Sequence, residues 1–320
     1  GASFYKSTDG GGTFTTLLTS TDAGASLESF DISRSNPNVM YVFQRSNTLW
    51  DGKLWKTIDG GLNWTTCPNP PGTSGGDRRV GDITISATEH NTIWFVLRSA
   101  AKVFKSTDGG NTWTNITTAT LSGFPFNDIC HQYGTDGGVY LGTDKGVFYR
   151  NNTMPDWVYF SNDLPLTAST NKLCPAYAKG KLRNGTWNKG VWEVDFYEES
   201  TPIAQISVDQ TIKYCVKDTF YFVDHSVVNH ASGTWLWSFP GASYISSATV
   251  YNPKVLYPSS GIYDVSLTVT DDNGSSSQTY TGFITVYNEC DIDTIPGKLI
   301  DFSTSSSDYL EIPAISGLSS

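Results

Sequence analysis

The chain has 320 residues, which on size alone suggests about two domains. Only 16% of the residues are charged while 13% are aromatic and 30 are glycine, a composition of strands and turns rather than of solvated helices. A net charge of −10 and a pI near 4.8 argue against nucleic acid or an anionic membrane as partner, because both require a basic surface, and no run of ~18 apolar residues is present to span a bilayer.

In chain order, the first element is a hairpin written three times. It reads Ser7-Thr8-Asp9-Gly10-Gly11-Gly12-Thr13-Phe14, then Thr57-Ile58-Asp59-Gly60-Gly61-Leu62-Asn63-Trp64, then Ser106-Thr107-Asp108-Gly109-Gly110-Asn111-Thr112-Trp113. Each copy follows a short apolar run ending in an aromatic and a lysine, as a strand entering a tight turn does. The aspartate can accept hydrogen bonds from turn amides, the glycines permit positive φ, and the closing aromatic can pack under the hairpin. Ser7, Asp9, Gly11, Thr13 and Phe14 of the first copy are therefore assigned a structural role. So are Thr57, Asp59, Gly61 and Trp64 of the second, and Ser106, Asp108, Gly110, Thr112 and Trp113 of the third.

The repeat extends beyond the hairpins. Leu27–Ser33 and Val39–Phe43 precede the second box, and Val80–Ser86 and Thr92–Leu97 precede the third, so each unit reads as a four-stranded blade recurring about every 50 residues. A fourth unit, Phe126–Cys130 and Gly138–Tyr149, closes near Trp157 without the box glycines. A last partial unit runs from Leu173 to Glu193. The hairpins resemble the Asp-box, or BNR repeat, of sialidase-like, xyloglucanase-like and sortilin-like β-propellers. That resemblance implies an all-β Asp-box propeller over residues 1–198, partial, with about four to five blades visible. It also places the box aspartates on the blade edge, away from the ligand face. Gly1 falls mid-blade, so a mature product or a fragment of something longer is expected, with further domains of the same polypeptide on both sides.

Composition shifts at Glu198–Pro202, which reads as a linker. From there to residue 289 the chain resembles a PKD domain, an immunoglobulin-like β-sandwich. The residues that carry the resemblance are Phe220–Phe222, Trp235–Gly241, Tyr251–Tyr257, Gly261–Thr270, Asp271–Gly274 and Phe283–Val286. Tyr263, Val265, Leu267 and Val269 alternate with polar residues as a half-buried strand does, and Asn273-Gly274 supplies the hairpin turn. Trp237, Phe239, Tyr257 and Tyr263 are expected in its core. Residues 290–320 are similar to the opening strands of a laminin-G or concanavalin-like module.

Chemistry is sparse. Gly72-Thr73-Ser74-Gly75-Gly76 has the letters of a nucleophile elbow but neither the strand before it nor the helix after it. The propeller arginines, Arg34, Arg45, Arg78, Arg79, Arg98, Arg150 and Arg183, form no sialidase-type motif. Asp77, Asp82, Asp128 and Asp136 are candidate glycosidase carboxylates, best read as solvated loop or turn residues. His225 and His230 beside Asp224 read as loop bystanders, so no metal site is assigned. No cofactor is expected; calcium is the one ion that Asp271-Asp272-Asn273 could touch, and a hairpin turn explains those residues without it. The five cysteines, Cys67, Cys130, Cys174, Cys215 and Cys290, contain no CxxC pair and leave pairings such as Cys67 with Cys130 open. Asn63, Asn115, Asn151, Asn184 and Asn273 begin N-x-Ser/Thr sequons.

These features imply an extracellular or cell-surface protein, secreted and modular, and non-catalytic. It resembles bacterial adhesins whose propellers and sandwiches act as spacers and as glycan- or protein-binding units. The alternative is a fragment of a secreted glycoside hydrolase with its catalytic blades upstream. A sortilin-like receptor fits less well, because a PKD-like sandwich stands where its cysteine-rich module would be.

Overall fold

The structure is a computed structural model that describes residues 2–8, 10–20, 24–45, 52–68, 70, 80–98, 100–160, 164 and 168–288. Asp9, Asp77, Arg78, Arg79, the 72–76 segment, Cys290 and the 290–320 module lie outside the described residues. The chain divides into two compact units, the first built mainly from Gly1–Ile203.

In the first unit every sheet is an antiparallel meander. A two-stranded sheet, β1 (Ser3–Lys6) and β2 (Thr15–Thr19), precedes three four-stranded blades. Blade 1 is β3 (Ser26–Ile32), β4 (Met40–Arg45), β5 (Gly52–Thr57) and β6 (Thr65–Thr66). Blade 2 is β7 (Val80–Ile85), β8 (Ile93–Leu97), β9 (Lys102–Ser106) and β10 (Thr114–Asn115). Blade 3 is β11 (Phe126–His131), β12 (Val139–Thr143), β13 (Gly146–Arg150) and β14 (Val158–Phe160). Blade 4 has three strands, β15 (Thr170–Ala176), β16 (Lys181–Thr186) and β17 (Gly190–Asp195). The first strands β3, β7, β11 and β15 lie side by side in that order.

Side chains alternate across a strand, so a blade with a neighbour on each side needs two apolar faces. Strand β8 supplies both. Ile93, Phe95 and Leu97 pack with Tyr41, Phe43 and Leu54 of blade 1, while Trp94 and Val96 pack with Val139, Leu141 and Phe148 of blade 3. Blade 4 differs. Leu173, Leu182 and Val194 face Tyr140 and Tyr149 of blade 3. Its other face carries the cross-strand ion pairs Arg183–Glu193 (2.9 Å) and Lys181–Asp195 (2.5 Å), both accessible to solvent.

The hairpins between the third and fourth strands are held by local polar contacts. In the third box, Asp108 accepts the Ser106 hydroxyl (2.7 Å), the Thr112 amide (2.9 Å) and the Thr112 hydroxyl (2.6 Å). Asp59 likewise accepts the Thr57 hydroxyl (2.7 Å), the Asn63 amide (2.9 Å) and the Asn63 side-chain amide (2.8 Å). In the first box the Gly11 amide donates to the Ser7 hydroxyl (2.7 Å), but Phe14 is largely exposed rather than packed beneath the turn. The closing tryptophans reach backwards: the indole N–H of Trp64 donates to the Leu17 carbonyl, that of Trp113 to Pro68, and that of Trp157 to Ile116, each at 2.9 Å. Blade 3 thus keeps the tryptophan tie after losing the box glycines, and Asp156 beside it accepts the hydroxyls of Thr118 and Thr120.

Two points lie beyond what the sequence could show. The segment read as a linker is fastened to blade 3. Buried Gln132 donates to the Glu198 carbonyl (2.6 Å) and the Ser200 hydroxyl (2.9 Å), Tyr149 donates to the Glu198 carboxylate (2.5 Å), and the Thr201 amide donates to Gly134 (2.8 Å). Composition alone could not register those partners. Cys67 and Cys130 are free thiols, as is Cys174, whereas Cys215 is disulfide-bonded. Cys67 follows the last strand of blade 1 and sits against the Gly109 carbonyl, while Cys130 lies on a first strand, so the fold keeps them apart. The Asn184 sequon is buried in β16.

The second unit is a sandwich of two sheets. Its strands are β18 (Ile206–Val208), β19 (Ile212–Lys213), β20 (Phe220–Asp224), β21 (Thr234–Ser238), β22 (Tyr244–Ile245), β23 (Lys254–Leu256), β24 (Gly261–Asp271) and β25 (Gly274–Val286). One sheet has the order β18-β20-β23-β22 and the other β19-β25-β24-β21. Between them lie Phe220, Phe222, Trp237, Phe239, Val265 and Leu267, all buried. Trp237 stacks on Phe239 at 5.6 Å, and buried Tyr257 stacks on half-buried Tyr263 at 4.1 Å.

Candidate functional site

Each first strand of the four blades breaks register at the same place. The shift falls between Leu27 and Ser29 in β3, Val80 and Ile83 in β7, Phe126 and Asp128 in β11, and Thr170 and Lys172 in β15. A bulge bends a strand and re-aims the side chain it carries. The four residues so placed are Ser29, Asp82, Asp128 and Lys172, and they meet.

The Lys172 ammonium donates to Asp128 Oδ1 at 2.8 Å and also to Asp82 Oδ2. The Ser29 hydroxyl donates to Asp82 Oδ1, which also accepts the Ile83 amide (2.9 Å). Asp128 Oδ2 accepts the Leu173 amide of the next blade at 2.6 Å. One turn of the pleat away, Asp31 accepts the amides of Ile32 (2.8 Å) and, across the blade boundary, Ile85 (2.7 Å). The carboxylates therefore staple consecutive blades, and Asp31 and Asp82 also face the recess between them.

Burial dominates the titration of Asp31 and Asp128. It pushes the Asp128 carboxyl well above the carboxylate range, Asp82 beside it pushes the same way, and Lys172 opposes both. Asp31 is pushed up to about 6, again first by burial, against the two amides that favour its charged form. Burial pulls the Lys172 ammonium down, but Asp128 and Asp82 outweigh it and hold it above the ordinary lysine value. Buried His131, stacked on Trp94 at 5.0 Å with Nδ1 on the Gly138 carbonyl (2.8 Å), is held neutral with its pKa pushed down to about 4.

Over this floor opens a recess of about 260 Å³. Its aromatic lining is Phe30, 55% exposed and resting on Phe4 at 5.0 Å, and the stacked pair Tyr133 and Tyr177 at 5.1 Å. Asp31, Asp82 and Lys172 complete the wall.

Asp82 and Asp128 are thus not solvated loop or turn carboxylates, as sequence reading had them; they are buried on adjacent first strands. Asp136 is an exposed turn residue accepting the Asn152 side chain (2.8 Å). Arg45 pairs with Glu28, Arg150 with the Ile116 carbonyl and Arg183 with Glu193, so the described arginines are dispersed. Asp224 is occupied by the Ser226 amide and the Trp235 indole, and Asp271 by the Asn273 amide of the hairpin turn. Among the described residues no group of three His, Cys, Asp or Glu could hold a metal ion. Ser29, Asp31 and Lys172 were missed by sequence reading. Aligning the four blades residue by residue exposes Ser29 and Lys172, because Ser29, Asp82, Asp128 and Lys172 fill one slot of the repeat.

Residues 199–286 match the family model of the PKD domain. Over 123 residues the chain is 30% identical to a xyloglucanase from a Paenibacillus species, an alignment that takes in 34% of this chain and only 12% of the relative. Among solved structures it is similar to an ancestral GH74 enzyme, with 15% identity over 89% of this chain and 46% of that one and a TM-score of 0.48. It is also similar to a GH74 enzyme of Niastella koreensis, with 16% identity, the same coverages and a TM-score of 0.38. The chain joins β-propeller blades to a PKD domain. No helix among the described residues is long and apolar enough to cross a membrane.

Proposed function

We propose that this chain is a glycan-binding, non-catalytic segment of an extracellular modular protein, of the kind that attaches a cell or an enzyme to polysaccharide. The observation that carries the reading is the recess on the first strands, where aromatic rings stand over a floor of carboxylates that are already committed. One ammonium lies within hydrogen-bond distance of both Asp82 and Asp128. An inverting glycosidase needs its carboxylates ~6.5–9.5 Å apart with a water between, and a retaining one needs the anomeric carbon between carboxylates ~5–5.5 Å apart. Lys172 fills the space that either arrangement requires. The PKD domain and the xyloglucanase relative support an extracellular setting and a polysaccharide ligand.

The identity to the xyloglucanase also favours a second reading, a fragment of a glycoside hydrolase. Electrophoresis of the intact chain through gels containing xyloglucan, run beside an assay for new reducing ends, separates the two. Retardation without reducing ends is expected. Release of reducing ends at a rate that scales with protein concentration would replace the binding reading with the hydrolase.

A further inference from the structure

Resting on that glycan-binding reading, we infer that the recess selects a neutral sugar ring, with Lys172 as donor to a ring hydroxyl and Phe30 as the apolar platform. A lysine ammonium has three N–H donors in a fan. Two are directed at Asp82 and Asp128, and the Lys172 side chain is still 63% exposed, so the third points to the open side. A carboxylate offers about four lone-pair sites. Asp82 uses all four, for the Ser29 hydroxyl, the Ile83 amide, Lys172 and the hydrogen bond it shares with Asp128, so the ligand contact falls to the ammonium.

A hydroxyl oxygen accepts as well as it donates, so one hydroxyl of the ring can take the third N–H. The ion pairs hold Lys172 in place before any ligand arrives, which lowers the ordering cost of binding. Phe30 stands over the same recess with more than half its surface free, as a ring that stacks on the C–H face of a sugar must.

Charge sets the class. Asp31 and Asp82 line the recess beside a single ammonium, so a uronate or sulfated sugar meets repelling carboxylates, while an amino-sugar cation meets Lys172 at the contact point. A neutral hexose carries neither charge.

The test is titration calorimetry of the intact chain with cellohexaose and with hexagalacturonate, on wild type, Phe30→Ala and Lys172→Met, with thermal melts of each. Phe30→Ala leaves the ion pairs untouched and decides the matter even where Lys172→Met fails to fold. Cellohexaose is expected to bind at least tenfold more tightly than the uronide, and Phe30→Ala to lose at least tenfold with an unchanged melt. Equal binding of both sugars, or full affinity in Phe30→Ala, overturns this assignment while leaving glycan binding in place. Failure of the wild type to bind either sugar overturns the glycan-binding reading and this inference together.

Discussion

Two sets of aspartates in the propeller blades experience opposite fields. At the hairpins, Asp59 and Asp108 are open to water and surrounded by donors, chiefly Asn63 for the first and Thr112 for the second, which hold both carboxyls down to about 2. On the first strands, Asp31 and Asp128 also accept backbone amides, yet burial outweighs those bonds and drives both carboxyls up. Hydrogen bonding to the charged form is common to both sets. Solvent decides the sign, so a carboxylate inside a blade stack needs a cation, and Lys172 is that cation.

The largest effect is expected from removing it. Lys172→Met leaves Asp82 and Asp128 buried against each other and should cost about 3 kcal/mol in chemical denaturation at neutral pH. The loss should shrink as the pH is lowered and Asp128 takes up its proton. Adding Asp128→Asn to that variant should recover part of it. A neutral-pH loss no greater than that of an exposed lysine substitution would mean that the two sets of carboxylates are not distinguished by burial.

Acid titration sharpens the contrast. His131 lies at about 4 in the fold against an ordinary 6.5, so its contribution is complete above 6.5 and is lost as the pH falls through 4. Its share is about 3 kcal/mol. Asp31 works the other way: raised to about 6 from 3.8, it contributes fully below 3.8 and loses that contribution as the pH rises through 6. Relative to pH 7, stability at pH 4 should therefore rise in His131→Gln and fall in Asp31→Asn. Asp59 and Asp108 act only lower, their contribution being present above 3.8 and lost as the pH falls through about 2.

Gly110 has φ +86°, and a Cβ there would stand 2.8 Å from Cys67 Sγ. Gly110→Ala should cost about 1–2 kcal/mol by denaturation. The smallest global effect is expected from Asp108→Ala, whose bonds are confined to one exposed turn. Its signature is local, a roughly tenfold or greater rise in amide exchange at Asn111 and Thr112 with little change elsewhere.

The same contrast explains what could be read without coordinates. The hairpin motif is legible because every partner of Asp59 and Asp108 lies within four residues of it. The PKD strands are legible because alternation and a turn dipeptide are local as well. Asp82 and Asp128 stood on the list of candidate carboxylates, but the residue that gives them meaning lies 90 and 44 positions away. No composition or spacing rule connects them, and only the stacking of one blade on the next does. Glu198 was read as linker for the same reason, since Gln132 and Tyr149 reach it from blade 3.

The most direct test of the account is a carbon-detected NMR titration of the aspartate side-chain carboxyls in the intact chain. The account predicts that Asp31 titrates near 6 and that Asp128 keeps its proton past the ordinary carboxylate range, while Asp59 and Asp108 stay ionised down to about 2. If Asp31 and Asp128 both titrate in the ordinary carboxylate range, burial does not set their charge. The contrast between the two sets of aspartates would then be contradicted.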